Sequence, residues 1–193
     1  MEKSSYRITK TELMAKGWST LSKLTVDAKL SDGRHLTLQR EVADHGPGAC
    51  VLAVDIERGM CLLVRQWRAG VAFTGEDGFL IEACAGLLDA DDPEGCARRE
   101  AFEELGVKLG KVEHIGDCFS SPGAVSEKIN LFIGYYTAFD RVNAGGGLKD
   151  EGEDIEVLEL PLGQAFAMIA TGAIQDAKTI ILLQHVKLQN LDC

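Results

Sequence analysis

The chain is poor in basic residues relative to acidic ones. Its 193 residues include 20 Lys and Arg against 30 Asp and Glu, which gives a formal net charge of −10. A protein that binds nucleic acid through a broad basic surface needs the opposite balance, because the sequence-independent part of such binding is neutralisation of phosphates. We therefore expect no nucleic-acid partner.

The sequence also lacks a long apolar run. Its apolar stretches, such as residues 49–54, fall far short of the ~18 residues that a membrane-spanning helix requires. The first residues contain no apolar segment typical of a secretory leader. These absences predict a cytoplasmic protein that has no membrane partner.

No CxxC pair occurs among the six cysteines, and His114 and Cys118 are the only Cys and His residues that lie near each other in sequence. A structural zinc site needs more ligands at closer spacing. Most of the thiols are therefore predicted to be small buried apolar groups in a reducing compartment. The six are Cys50, Cys61, Cys84, Cys96, Cys118 and Cys193.

What is present is the composition of a globular protein, with 46% hydrophobic and 26% charged residues. Residues 5–44 alternate weakly between apolar and polar positions. A turn at residues 31–33 separates the stretches 21–30 and 35–42, which predicts a β-hairpin. We predict an N-terminal β arm over residues 1–44 and a main domain over residues 45–193.

The main domain alternates strand and helix patterns. Asp92 suits a helix N-cap, Pro93 suits the first helical position and Gly106 suits the position after the last turn. Strands interrupted by helices predict an α/β fold with a mixed sheet and helices on both faces. The predicted strands cover residues 50–56, 60–66, 79–82, 112–119, 128–137 and 155–160, and the predicted helices cover residues 93–105, 162–171 and 176–191.

Three carboxylates share one face of the first predicted helix, because Glu103 and Glu104 lie three and four residues after Glu100, about one helical turn away. One interpretation is a solvated acidic surface. The other is that divalent cations neutralise the cluster, since Mg²⁺ prefers carboxylate and phosphate oxygens as ligands. Arg99 lies four residues before Glu103 and could hold that side chain, which would leave Glu100 and Glu104 for metal.

The loop before this helix favours the second interpretation. Gly86, five residues, Asp92, six residues and then Arg99-Glu100-Ala101-Phe102-Glu103-Glu104-Leu105-Gly106-Val107 resemble the signature GX5EX7REUXEEXGU of the Nudix hydrolases. The chain departs from it in having Asp92 for Glu, a spacer one residue shorter, and Ala101 at an aliphatic position. The resemblance implies an α/β/α sandwich, and every carboxylate of the helix is retained.

Other segments resemble the nucleoside diphosphate sugar branch of that family. They include Arg65-Gln66-Trp67-Arg68, Ser121-Pro122-Gly123 and the glycines at 145–147. The resemblance implies hydrolysis of the diphosphate bond of a nucleotide sugar, with GDP-mannose as the first expected substrate and ADP-ribose as the alternative. A binding module without turnover is a third hypothesis, but such a module would not need three clustered carboxylates.

The resemblance also implies the site residues. Mg²⁺, with Mn²⁺ as the alternative ion, would be held by Glu100, Glu104, Glu153 and the carbonyl oxygen of Ala85. Glu153 is the first candidate for the general base and Glu151 the second, on an acidic loop that the preceding glycines would allow to close over substrate. Glu103 is a further catalytic candidate.

Substrate contacts are implied at residues from both parts of the chain. Arginine can grip a phosphate with two hydrogen bonds, and the resemblance assigns that role to Arg68. It also implies a homodimer with exchanged N-terminal arms, in which residues of the arm serve the neighbour's site. The full implied set is Trp18, Arg40, Glu41, Arg68, Ala85, Gly86, Leu87, Glu104, Glu127 and Lys178.

Overall fold

The computed structural model describes residues 3–88 and 92–189, with the side chain of residue 151 outside the description. The chain forms two compact units. The first contains the described residues up to Pro47 and the segment Phe119–Lys128, and the second contains Gly48–Cys118 and the chain from Ile129 onward. The predicted division at residue 44 stays a prediction.

The first unit is built on a three-stranded antiparallel sheet. Its strands are β1 (Ser5–Lys16), β2 (Thr20–Lys29) and β3 (His35–Asp44), in the order β1-β2-β3. Strands β2 and β3 pair from Thr20 with Asp44 to Lys29 with His35. The predicted hairpin and the antiparallel appendage are confirmed.

The second unit is built on a seven-stranded mixed sheet. Strands β4 (Gly48–Asp55), β5 (Met60–Trp67), β8 (Val112–Phe119), β9 (Lys128–Tyr135) and β10 (Glu156–Pro161) run in the order β10-β5-β4-β9-β8. The pair β4 and β9 is parallel, whereas β4 with β5 and β5 with β10 are antiparallel. Two short strands, β6 (Phe79–Glu82) and β7 (Cys84–Leu87), pair with β5 and β4.

The central strands are buried on both faces, since every residue of β4 is buried. Side chains alternate between the faces of a strand. Leu52 of β4 packs in one apolar cluster with Leu182 of the last helix, whereas Val51 packs in another with Ala97 of the helix after β7. Two cores on opposite faces of one mixed sheet confirm the predicted α/β fold with helices on both sides.

The helices are α1 (Ala69–Phe73), α2 (Pro93–Glu104), α3 (Leu162–Thr171) and α4 (Ala177–Leu188). The sequence did not predict α1, which is five residues long and buries none of them. The predicted cap of α2 is confirmed, because the Asp92 carboxylate accepts a hydrogen bond from the Gly95 amide at 2.8 Å. None of the described helices is long and apolar enough to cross a bilayer.

The predicted burial of most cysteines is confirmed for those that the structure describes. Cys50, Cys61, Cys84 and Cys96 are buried, and Cys118 is half-buried. Burial raises the pKa of the Cys61 thiol to about 12, so this group stays protonated. Cys193 lies outside the described residues.

Candidate active site

Helix α2 places two carboxylates in the interior of the second unit. Glu100 is 8% exposed and Glu104 is 2% exposed. A solvated acidic surface would leave such groups in water, so that interpretation is wrong for these two residues. Burying charged carboxylates is costly unless a partner compensates them.

Glu104 lacks full compensation. Its burial raises its pKa to about 8, and the negative charges of Glu100 and Glu153 act in the same direction. A hydrogen bond from the Cys84 thiol and the charge of Arg68 oppose the rise. Within the described part of the chain, the Oε2 atom of Glu104 has no hydrogen-bond partner. A buried oxygen of this kind is suited to binding a cation.

Arg99 contacts two carboxylates of the helix, and this differs in part from the sequence expectation. Its Nη1 atom lies 2.7 Å from Oε1 of Glu100 and 3.3 Å from Oε2 of Glu103. The expected contact with Glu103 is present, but the shorter contact is to Glu100, which was expected to be left for metal. Burial still raises the pKa of Glu100 despite this pairing, and the charges of Glu103 and Glu153 add to the rise.

Strand β7 brings backbone atoms against the same carboxylates. A Cβ atom at Gly86 would lie 1.9 Å from Oε1 of Glu100, so a side chain at this position would displace the Glu100 carboxylate. The carbonyl oxygen of Leu87 accepts a hydrogen bond from Nη2 of Arg99 at 3.3 Å. The segment that contains Ala85, Gly86 and Leu87 is therefore packed directly on helix α2.

The glycines at 145–147, which the sequence predicted to let the acidic loop close over substrate, are hydrogen-bonded to the end of helix α2. The Gly146 amide donates to the Glu104 carbonyl at 2.8 Å, and the Gly147 amide donates to the Glu103 carbonyl at 3.2 Å. A Cβ atom at Gly145 would lie 2.3 Å from the Glu104 carbonyl oxygen. The backbone of these glycines therefore lies against the last turn of α2. The carbonyl groups of that turn have no partners within the helix, and the glycine amides supply them with hydrogen-bond donors.

The glycines that are bonded to the end of helix α2 also lie against Glu153. Oε2 of Glu153 accepts a hydrogen bond from the Leu148 amide at 2.7 Å. A Cβ atom at Gly147 would lie 2.3 Å from the same oxygen. Because the charge of Glu153 raises the pKa of both Glu100 and Glu104, all three carboxylates belong to one electrostatic site. The side chain of Glu151, the second candidate base, lies outside the described residues.

The donor set fits a hard divalent cation. No group of three or more His, Cys, Asp or Glu side chains in the described ranges is already arranged around an ion position. Even so, an unsatisfied Oε2 of Glu104 and the mutual repulsion of three carboxylates are features that a dication would relieve. Glu100, Glu104 and Glu153 could hold such an ion together with a backbone carbonyl of β7.

Two cations, Arg68 and Lys178, are paired with two carboxylates near these acids. Arg68 donates to Glu82 from Nε at 3.0 Å and from Nη2 at 2.6 Å, and Nζ of Lys178 lies 3.2 Å from Oε2 of Glu82 and 2.8 Å from Oδ1 of Asp176. Burial favours the neutral form of Glu82, but the hydrogen bond from Arg68 and the charges of both cations outweigh it and lower its pKa. The charge of Arg68 also lowers the pKa of Glu104, so the two groups interact electrostatically.

The remaining predicted residues lie in the first unit. Trp18 is 79% exposed, so it is not the core residue that an isolated tryptophan often is, and its ring stacks on His45 with centroids 4.9 Å apart. Nε2 of His45 lies 3.9 Å from Oε1 of Glu127. Arg40 and Glu41 lie on β3, opposite Leu24 and Lys23 of β2.

Sequence reasoning assigned no role to Glu82, Cys84 or His45. Glu82 is a carboxylate in an otherwise apolar strand, which was the available signal. Cys84 was interpreted as an apolar filler, although its thiol bonds to Glu104. For His45, the sequence contains no signal for the stacking on Trp18, because the two residues are far apart in the chain.

Comparison with known proteins agrees with this arrangement. Residues 44–183 match the NUDIX domain, and residues 5–43 match the domain described as GDP-mannose pyrophosphatase NudK N-terminal domain. GDP-mannose pyrophosphatases of Escherichia coli O157:H7 and Shigella flexneri are each 44% identical over 183 residues, which cover 94% of this chain and 95% of theirs. A crystal structure of an ADP compounds hydrolase has a TM-score of 0.71 at 18% identity and covers 96% of both chains.

The similarity to the ADP compounds hydrolase establishes the fold. The two matched domains and the GDP-mannose pyrophosphatases establish the family. The matched domain covers most of the chain and contains the acidic helix, strand β7 and Glu153. The chain belongs to the Nudix hydrolase family.

Proposed function

We propose that this protein hydrolyses the diphosphate bond of a nucleoside diphosphate sugar, with GDP-mannose as the substrate and GMP and mannose 1-phosphate as the products. Family membership makes the chain a hydrolase of pyrophosphate bonds. Relatives named GDP-mannose pyrophosphatase, which match over nearly the whole length, support the choice of substrate. The observation that carries the chemistry is the buried Glu104, which has an oxygen without a hydrogen-bond partner in the described residues and a pKa raised by burial and by the charges of Glu100 and Glu153.

The reaction adds one water molecule to one phosphorus atom and breaks the bond between that phosphorus and the bridging oxygen. Members of this family generally use divalent metal ions. Mg²⁺, when bound, would lower the pKa of the attacking water and offset the charge of the diphosphate. Glu100, Glu104, Glu153 and the Ala85 carbonyl are the groups that we propose hold it, with Mn²⁺ as the alternative ion.

Glu153 is the group that we propose takes the proton from water. Its Oε2 atom is held by the Leu148 amide, which fixes the carboxylate and leaves Oε1 as the proton acceptor. Glu151 is the alternative acceptor. Arg99 is shared between Glu100 and Glu103, so we propose that Glu103 helps to orient Arg99 at the end of the helix and does not act as the base.

The substrate would meet cations at its phosphates and an aromatic ring at its base. Arg68 and Lys178 would bind the diphosphate, and the backbone of Gly86 and Leu87 would line the same position. Trp18 is exposed and already stacked on one ring, as a base-binding side chain would be. Arg40, Glu41 and Glu127 complete the proposed contacts.

We further propose a cytoplasmic homodimer in which the first sheet is exchanged between subunits. Every described residue of β1 is exposed. Its large apolar side chains include Ile8 at 58% and Leu13 at 64% exposure, and several exposed apolar side chains on one strand favour an interface there. Trp18, Arg40 and Glu41 would then contribute to the neighbour's site.

The test is a panel of nucleotide sugars with Mg²⁺ and with EDTA, in which products are separated by chromatography. GDP-mannose should be cleaved faster than ADP-ribose, and EDTA should stop both reactions. Glu94→Gln is a matched control for Glu104→Gln, because Glu94 lies on the same helix but is exposed and paired with Arg98. Faster cleavage of ADP-ribose would overturn the choice of substrate.

A further inference from the structure

A buried carboxylate beside the active site has no role in the chemistry described above. Glu82 ends strand β6 and is 1% exposed. Both of its oxygens accept hydrogen bonds from Arg68, and Oε2 also accepts one from Lys178, which lies 96 residues further along the chain. It therefore joins two distant segments that bear the two cations proposed to bind phosphate.

The geometry leaves each cation with a donor for a ligand. Arg68 uses Nε and Nη2 on Glu82, and Nη1 makes no hydrogen bond to the described part of the protein. The Lys178 ammonium has three protons and uses two of them, on Glu82 and Asp176. Arg68 is 40% exposed, so its remaining edge is accessible to a substrate.

Asp176, the second carboxylate that contacts Lys178, is itself held in place by helix α4. Asp176 caps helix α4 by accepting hydrogen bonds from the amide and hydroxyl of Thr179. The same hydroxyl accepts a hydrogen bond from the Ala83 amide at 2.7 Å. Ala83 follows Glu82 directly, so the carboxylate and the Lys178 ammonium are held by one buried network. Such networks fix side-chain positions when every member is bonded.

We propose that Glu82 is a positioning residue that holds Arg68 and Lys178 side by side to receive the two phosphates of the substrate. It acts through these two cations and contacts no substrate itself. The inference rests on the proposed function, which assigns phosphate binding to Arg68 and Lys178. It accounts for a buried charge whose desolvation would otherwise only destabilise the fold.

The test compares KM and kcat for Glu82→Gln. The amide keeps the shape but cannot hold two cations, so we expect KM to rise about 10- to 100-fold, as for loss of one or two charge-assisted hydrogen bonds. The change in kcat should be smaller than that in KM. Glu82→Asp keeps the charge, so it should fold and show a smaller rise in KM. It is the variant to measure if Glu82→Gln does not fold.

A double-mutant cycle separates positioning from general stability. In the Arg68→Met background, Glu82→Gln should change KM by less than about threefold, because one cation through which it acts is already missing. An equal rise in both backgrounds would overturn the inference while leaving the phosphate role of Arg68 intact. A normal KM for Arg68→Met would instead overturn the proposed role of Arg68 and the inference with it.

Glu159 provides the matched control. It is also a carboxylate held by two arginines, with contacts of 2.7 Å to Arg58 and 3.3 Å to Arg141, and it lies on β10 rather than beside the acidic helix. Glu159→Gln should lower the melting temperature without changing KM. If it raises KM as much as Glu82→Gln does, the effect is one of stability and the positioning role is wrong.

Discussion

Replacing Glu104 by glutamine should have opposite effects on stability and on activity. In the metal-free protein the buried carboxylate has its pKa raised from 4.5 to about 8. A carboxyl whose pKa is raised by folding destabilises the protein above its unfolded pKa. The penalty is absent below pH 4.5, grows as the pH rises, and levels off near pH 8.

The size of the effect follows from these values. At pH 7 the folded carboxyl is still protonated about 2.5 pH units above its ordinary pKa of 4.5. Each unit corresponds to about 1.4 kcal/mol, so the upper bound on the penalty is ~3.5 kcal/mol. Relaxation around the group reduces this, so we expect Glu104→Gln to stabilise the metal-free protein by about 1–3 kcal/mol. The gain should vanish when the pH approaches 4.5.

The assay is chemical denaturation in EDTA at neutral and at acid pH, together with kcat in Mg²⁺. The variant should unfold at higher denaturant concentration than wild type at neutral pH, and it should lose at least about 100-fold in kcat. Glu94→Gln should change neither property, because Glu94 is exposed. Lower stability of Glu104→Gln in EDTA would refute the argument from burial, and a normal kcat would refute the site.

Three further predictions concern Glu153, the glycines and the first sheet. Glu153→Gln should lower kcat about 100- to 10,000-fold with little change in KM. Glu156 is exposed, so Glu156→Gln should leave kcat unchanged. Equal rates for both variants would exclude Glu153 as the base. Gly147→Ala should lower kcat, because its Cβ would displace the Glu153 carboxylate. Gly152 has a similar φ of 77° but open space around it, so Gly152→Ala should cost only about 1 kcal/mol of stability. The same kcat for both variants would contradict a rigid attachment of the loop. Ile8→Glu should convert a dimer to a monomer in light scattering, and a monomeric wild type would end the exchanged-arm proposal.

The sequence predicted the elements whose signals are local. Asp92, Pro93 and Gly106 mark the ends of helix α2, and the structure places the helix between them. Strand β9 has apolar residues at every second position, and Ile129 and Leu131 pack in the same apolar cluster on one face of the sheet. Helix α1 was missed, because five residues are too few to establish a helical period.

The site depended on contacts that local patterns do not contain. A charged residue at a helical position has the same sequence signal whether it faces water or a metal site, so the burial of Glu100 and Glu104 could be inferred only through the family resemblance. Glycine-rich segments indicate conformational freedom, but the hydrogen bond from Gly146 to Glu104 depends on where the helix ends in space. The pairing of Glu82 with Lys178 joins residues 96 positions apart.

Product analysis of GDP-mannose hydrolysis is the most direct test of the central claim. Wild-type protein incubated with Mg²⁺ should yield GMP and mannose 1-phosphate in equal amounts, and EDTA should abolish both. Phosphorus NMR distinguishes these products from GDP and free mannose, which cleavage at the sugar carbon would give. Formation of GDP and mannose, or recovery of intact GDP-mannose under conditions in which the protein is folded and Mg²⁺ is present, would contradict the account.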